Sequence, residues 1–196
     1  MKKRKLESMD IFQNKHNEKI ISDSEKSQID TSISREIIIN KSLLKTIADT
    51  LFSLILKEKK SNKHRDKKSP FYHEHIPKIS IFDYLLRIQK YSEIENSTLI
   101  IALIYLDRIL IKKEIKLSKY NIHRLLFTSI LISIKYNHDC INKIIYYSKI
   151  GGVQIKELII LEKEFLKIID FELFVSDEMY KKYYESLNLN NIIENY

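Results

Sequence analysis

Only two glycines and two prolines occur among 196 residues. Sheets and α/β folds need many more residues that tolerate turns, so this scarcity leaves long stretches free to run as uninterrupted helix and predicts an all-α protein. One cysteine, Cys140, excludes an internal disulfide and a cysteine-rich zinc cluster, which fits the intracellular compartment, nucleus or cytoplasm. No apolar segment of signal-peptide length follows the basic start MKKRKLESMD, so a secretory leader is not expected. The richest apolar run, Thr98 to Leu106, meets Asp107 and Arg108 well short of the roughly 18 residues that a membrane span needs, and no membrane association is expected.

What the chain does contain is apolar residues, 44%, and an excess of cations, with a formal net charge of +8. That length and apolar content suit one domain with a proper core. Much of the excess charge lies in Lys2 to Lys5 and in Lys57 to Lys68, which read as tail and linker, so nucleic-acid contact is not the expected use of it. The first cluster could also serve as a nuclear-import signal.

Residues 1–33 hold no lasting period of 3.6 or 2 and are expected to form a flexible basic tail. Over residues 34–58, Ile38, Leu43, Ile47, Leu51, Leu54 and Ile55 recur at helical spacing, with Ser34 as a candidate N-cap, and predict an N-terminal flanking helix. Residues 59–69 read as a linker. Residues 70–175 then carry five closely spaced helical patterns, starting at Pro77, after Asn96, and near Ser118, Asn142 and Gln154. Gly151 and Gly152, adjacent between two of these patterns, predict a sharp helix stop. Ser176, with Asp177 and Glu178 behind it, caps a final helix within 176–196.

Three charges fall on or beside apolar stripes. Asp107 shares the face of Leu103 and Leu110, so a partner is expected from Arg108, Arg87 or Lys78 unless the carboxylate sits half solvated at the stripe's edge. Lys135 lies four residues after Leu131, and Glu162 four after Leu158. Both are either functional contacts or long side chains that reach out to water. No catalytic constellation or cofactor motif is found: the adjacent glycines cannot form a phosphate loop, and His73, Glu74 and His75 spell HEH rather than the HExxH of a helical zinc site. No metal, cofactor or small-molecule substrate is expected.

Four runs in order, PKISIFDYLLRIQKY, NSTLIIALIYLDRIL, NIHRLLFTSILISIKY and YYSKIGGVQIKELIILEKEFLKIIDFEL, resemble the cyclin box of P/U-type (phosphate-responsive-type) cyclins, with a coverage of about Ser69 to Tyr184. The resemblance implies a five-helix cyclin box flanked by one helix on each side. It also implies a non-catalytic subunit that binds a cyclin-dependent Ser/Thr kinase as a heterodimer and holds its mobile helix in the active position. In that family a lysine ending the third box helix and a glutamate in the fifth form the polar centre of the kinase contact, and Lys135 in SIKY and Glu162 in ILEKEF match them. The arginine that pairs with the family's buried aspartate corresponds to Lys78, which implies a bond from Lys78 to Asp107. The docking patch of A-type cyclins is matched by Pro77, Ile81 and Tyr84, so docking by that route is not expected. Neither is a full second repeat. A cyclin-fold scaffold, or a transcription-associated protein that activates no kinase, is the alternative.

Overall fold

The computed structural model describes residues 41–58, 69–112 and 115–193, with side chains as far as residue 187 at the C-terminal end. The expected tail, residues 34–40 of the flanking helix and residues 59–68 of the linker lie outside them. The described residues form helices and no strand: α1 over residues 41–58, α2 Ile81–Ser92, α3 Asn96–Ile111, α4 Ile122–Asn137, α5 Ile144–Gly151, α6 Ile155–Ile168 and α7 Asp177–Ile193.

α4 is the hub. It is apolar on every face, and all its residues from Leu125 to Ile134 are buried, as befits a helix enclosed by others. The few hydroxyls in that stretch are satisfied locally or across to α3: Thr128 Oγ1 donates to Arg124 O at 2.7 Å, and Ser133 Oγ to Thr98 O at 3.0 Å. Small side chains here let α3 pack close against α4. α6 lies on α4, α5 joins α2 to α6, and α7 covers α3.

Helix ends differ from the expectation in physically readable ways. α2 starts at Ile81, not at Pro77, because Ser80 takes the N-cap and its Oγ accepts the Asp83 N–H at 3.0 Å. Residues 77–80 stay non-helical, and the His123 ring nitrogen Nε2 holds Ile79 O at 3.0 Å. α4 likewise begins at Ile122, after a turn in which Asn121 Oδ1 accepts the Ser118 N–H at 2.8 Å. Left-handed residues end two helices without glycine: Glu93 (φ 50) closes α2, and Asp170 and Phe171 (φ 53 and 58) close α6.

α5 stops at the glycine pair, as expected, but the two glycines do different work. Gly152 (φ 66) is the stop, its N–H bonded to Ser148 O. Gly151 is the last helical residue and is buried; a Cβ there would lie 2.2 Å from Phe127 Cε1. Its carbonyl accepts the buried Tyr84 hydroxyl at 2.9 Å. Burial pushes that phenol well above its ordinary range, so it stays a donor.

Arg124, near the start of α4, ties the fold together. Its Nη1 donates to Pro70 O at 3.1 Å and to Tyr72 O at 2.7 Å, while Nη2 pairs with Glu157 on α6. The segment it grips includes Phe71, wholly buried and edge-on to Phe165. Arg124→Met keeps the stem but leaves two carbonyls without this donor and Glu157 without its cation. Because the pair is partly solvated, the expected loss is about 2 kcal/mol, or roughly 4–8 °C in Tm by thermal denaturation. An unchanged Tm would show that the clamp contributes little.

Candidate functional site

Lys135 sits in the last turn of α4 and Glu162 in the middle of α6, and the packing of these two helices brings them into an ion pair, Lys135 Nζ to Glu162 Oε1. It is a second ion pair between α4 and α6, beside Arg124–Glu157. The two pairs are covered to the same degree but in opposite senses: Arg124 is 17% and Glu157 35% exposed, whereas Lys135 is 36% and Glu162 17% exposed, so the more open member is the acid in the first pair and the lysine in the second.

A partly exposed ion pair adds little to stability, typically about 0–1 kcal/mol, and Lys135 grips no loop carbonyls as Arg124 does, so holding α4 to α6 is a weak reason for these two residues. Its unused bonding capacity says more. An ammonium has three N–H donors and a carboxylate about four acceptor sites; one of each is spent on the pair, so the remainder can meet backbone groups of another protein.

Apolar side chains surround it without cover. Ile159, three residues before Glu162 on the same strip of α6, is 51% exposed, and Tyr136, next to Lys135, is 52% exposed. Leu166, four residues after Glu162, is only partly buried, and its carbonyl accepts the N–H of Phe171, itself 64% exposed in the left-handed turn. The connector from Asp170 to Ser176 is tied back to α3: Tyr105 hydroxyl donates to Leu173 O and Arg108 Nη2 to Phe174 O, both at 2.7 Å, and Lys112 pairs with Asp170. These ties hold Phe171 where it stands. Interfaces usually place apolar side chains at the centre and polar groups at the rim, so an ion pair amid exposed apolar side chains is suited to a partner that brings matching donors and acceptors to it as well as apolar area.

The other singled-out residues lie elsewhere. Asp107 is half-buried and accepts the hydroxyl of Tyr183 from α7, at 2.5 Å. Burial first, and then the neighbouring Asp107, raise the Tyr183 phenol far above its ordinary range, so the proton remains available for this bond. Lys78 is exposed and makes no such contact. The reading of Lys78 and Asp107 as a buried charged pair is therefore corrected: α2 begins after Lys78, so the lysine never joins the helix face that would turn it inward. His73 Nδ1 accepts the His75 N–H at 3.0 Å, which folds the HEH loop on itself. The described residues hold no group of three His, Cys, Asp or Glu side chains able to bind a metal ion, and no described helix is long and apolar enough to cross a membrane.

Two contacts escaped the sequence reading. Arg124 carried a usable sign, a lone guanidinium inside an apolar run whose helix is buried all round. Tyr183 carried none, because only the tertiary docking of α7 brings it to Asp107.

An all-α domain, built round one buried helix and presenting an ion pair among uncovered apolar side chains, is the class these observations define. Residues 6–173 match the family model for cyclins, and the chain belongs to the cyclin family. It is 40% identical over 112 residues to Cyclin-U4-2 of Arabidopsis thaliana, covering 57% of this chain and 52% of that protein. Cyclin-P3-1 of Oryza sativa subsp. japonica is 35% identical over 123 residues, 63% of this chain and 52% of that protein. PHO85 cyclin-7 of Saccharomyces cerevisiae is 37% identical over 125 residues, 58% of this chain and 44% of that protein. The chain thus spans about half the length of the curated relatives it matches.

Proposed function

We propose that this chain is a regulatory subunit that binds and activates a cyclin-dependent Ser/Thr protein kinase, and that the α4–α6 face centred on Lys135 and Glu162 is where the kinase docks. The observation that carries the reading is the partly exposed ion pair, with spare donors and acceptors, beside uncovered apolar side chains. Membership of the cyclin family and likeness to a protein named as a PHO85 cyclin support it.

The chemistry is one of position. Ile159, Tyr136 and Phe171 supply apolar area for an amphipathic kinase helix, while Lys135 donates to backbone carbonyls and Glu162 accepts backbone N–H groups near that helix's end, where orphan groups are available. A kinase is competent only when its mobile helix brings a glutamate to the phosphate-binding lysine. A subunit that binds only the assembled form shifts the population toward it by its differential affinity. The phosphoryl transfer belongs to the kinase. The heterodimer works in the nucleus or cytoplasm.

Purification of partners from native extract at moderate salt, identified by mass spectrometry, tests the reading against Lys135→Ala with Glu162→Ala. The wild type is expected to recover a cyclin-dependent kinase, and the folded double variant to lose it. Recovery of no kinase across several conditions would sink the reading. Kinase turnover left unchanged by added chain would reduce the activator to a scaffold.

A further inference from the structure

Of the two prolines in the chain, Pro70 follows a serine and Pro77 an isoleucine, so Ser69–Pro70 is the one place where a hydroxyl residue precedes proline. Proline brings a fixed φ and no N–H to the position after the acceptor, which is the feature that proline-directed Ser/Thr kinases read. Ser69 is only partly buried.

The turn around this serine is built to meet negative charge. The Phe71 N–H donates to Ser69 Oγ at 3.4 Å, and the Tyr72 N–H donates to Ser69 O at 3.0 Å, so the hydroxyl stands at the donor end of a single turn. Arg124 lies against the same turn, with Nη1 donating to Pro70 O and Tyr72 O and Nη2 paired with Glu157. A guanidinium has five N–H donors. Three are engaged in these bonds, which leaves Nε and one N–H of Nη2 uncommitted among the described residues.

We propose that Ser69 is a phosphorylation site for a proline-directed Ser/Thr kinase, and that Arg124 receives the phosphoryl group. Ser69 Oγ attacks the γ-phosphorus of ATP, the new Oγ–P bond forms as the bond to ADP breaks, and the hydroxyl proton passes to the kinase's catalytic Asp. The phosphoserine oxygens then take the spare Arg124 donors beside the Phe71 N–H, which fastens the turn more firmly to α4. Because a kinase needs its acceptor extended, the turn must open first, and the Arg124 bonds oppose that opening. The same guanidinium therefore slows the modification and stabilises its product. The inference does not require this chain to be a kinase subunit, since a substrate meets a kinase only in passing.

The full chain is incubated with Mg·ATP and, separately, a purified cyclin-dependent and a purified mitogen-activated protein kinase, and the site is mapped by mass spectrometry. Phosphate is expected on Ser69, and Ser69→Ala and Pro70→Ala should each lack it. Arg124→Met should be modified roughly fivefold faster, because the turn opens more readily. At about pH 7.5 the phosphorylated wild type should melt about 2–4 °C above the unmodified chain. That gain should be full above the second phosphate pKa, about 6, and shrink as pH falls below it, because the dianion is the form that Arg124 favours. Arg124→Met should show no gain. Phosphate absent from Ser69 with both kinases, or retained there in Pro70→Ala, would overturn the site. An equal rise in Tm with and without Arg124 would overturn its role as receiver. None of these results bears on the Lys135 and Glu162 test, so the two readings fail separately.

Discussion

Glu162→Lys alone is expected to abolish kinase capture, and restoring the internal pair with the opposite polarity, Lys135→Glu with Glu162→Lys, is expected not to bring it back. If the pair served only to hold α4 to α6, either order of charges would do. The single variant would then cost at most about 1 kcal/mol, and the swap would recover it. An interface reads direction. The lysine can only donate and the glutamate only accept, so exchanging them sets donors against the partner's N–H groups and acceptors against its carbonyls. Truncating or inverting a charge that a partner covers costs about 2–5 kcal/mol, which is roughly a 30-fold to several-thousand-fold rise in Kd. Titration of each folded variant against the recovered kinase gives Kd, and thermal denaturation gives the cost to the fold. A swapped pair that binds like wild type would show that Lys135 and Glu162 have a structural role alone.

The parts of this fold legible in the sequence were those set by periodicity within one element. Leu99 and Leu106 on α3, or Leu158, Leu161 and Phe165 on α6, recur at helical spacing, and all are buried. Lys135 and Glu162 drew attention for a related reason, since each stands at the edge of such a stripe, but spacing left open whether they were contacts or side chains reaching to water, and it was the family resemblance that singled them out. Failures came where a local competitor or a distant partner decided the outcome. Ser80 capped α2 three residues after Pro77, and that one displacement took Lys78 off the helix and out to solvent. Asp107 was rightly suspected of needing a partner. No helical spacing can connect it to Tyr183, because that bond depends on how α7 lies on α3. Gly151 and Gly152 looked alike as residues, and only the position of Phe127 distinguishes them.

That difference has a large measurable consequence. A Cβ added at Gly151 would lie 2.2 Å from Phe127 Cε1 and 2.6 Å from Cδ1 and Cζ, closer than carbon atoms can approach. The ring has little room to retreat: Phe127 is buried in the central helix with Tyr84 beside it, their centroids 6.3 Å apart, and Tyr84 is itself bonded to the Gly151 carbonyl. Gly151→Ala must therefore push α5 away from α4 or force Phe127 off its rotamer, at a cost of roughly 2–3 kcal/mol and about 5–10 °C in Tm. Gly152→Ala meets no atom within 4 Å and bears only the left-handed backbone penalty, about 1–2 kcal/mol. The clash should also be relieved by a smaller neighbour. Phe127→Leu alone opens a void and destabilises, but combined with Gly151→Ala it should cost less than the sum of the two, a coupling of about 1 kcal/mol or more in a double-mutant cycle. Strict additivity, or a Gly152→Ala loss exceeding that of Gly151→Ala, would mean that backbone conformation and not close packing is what requires glycine at both positions.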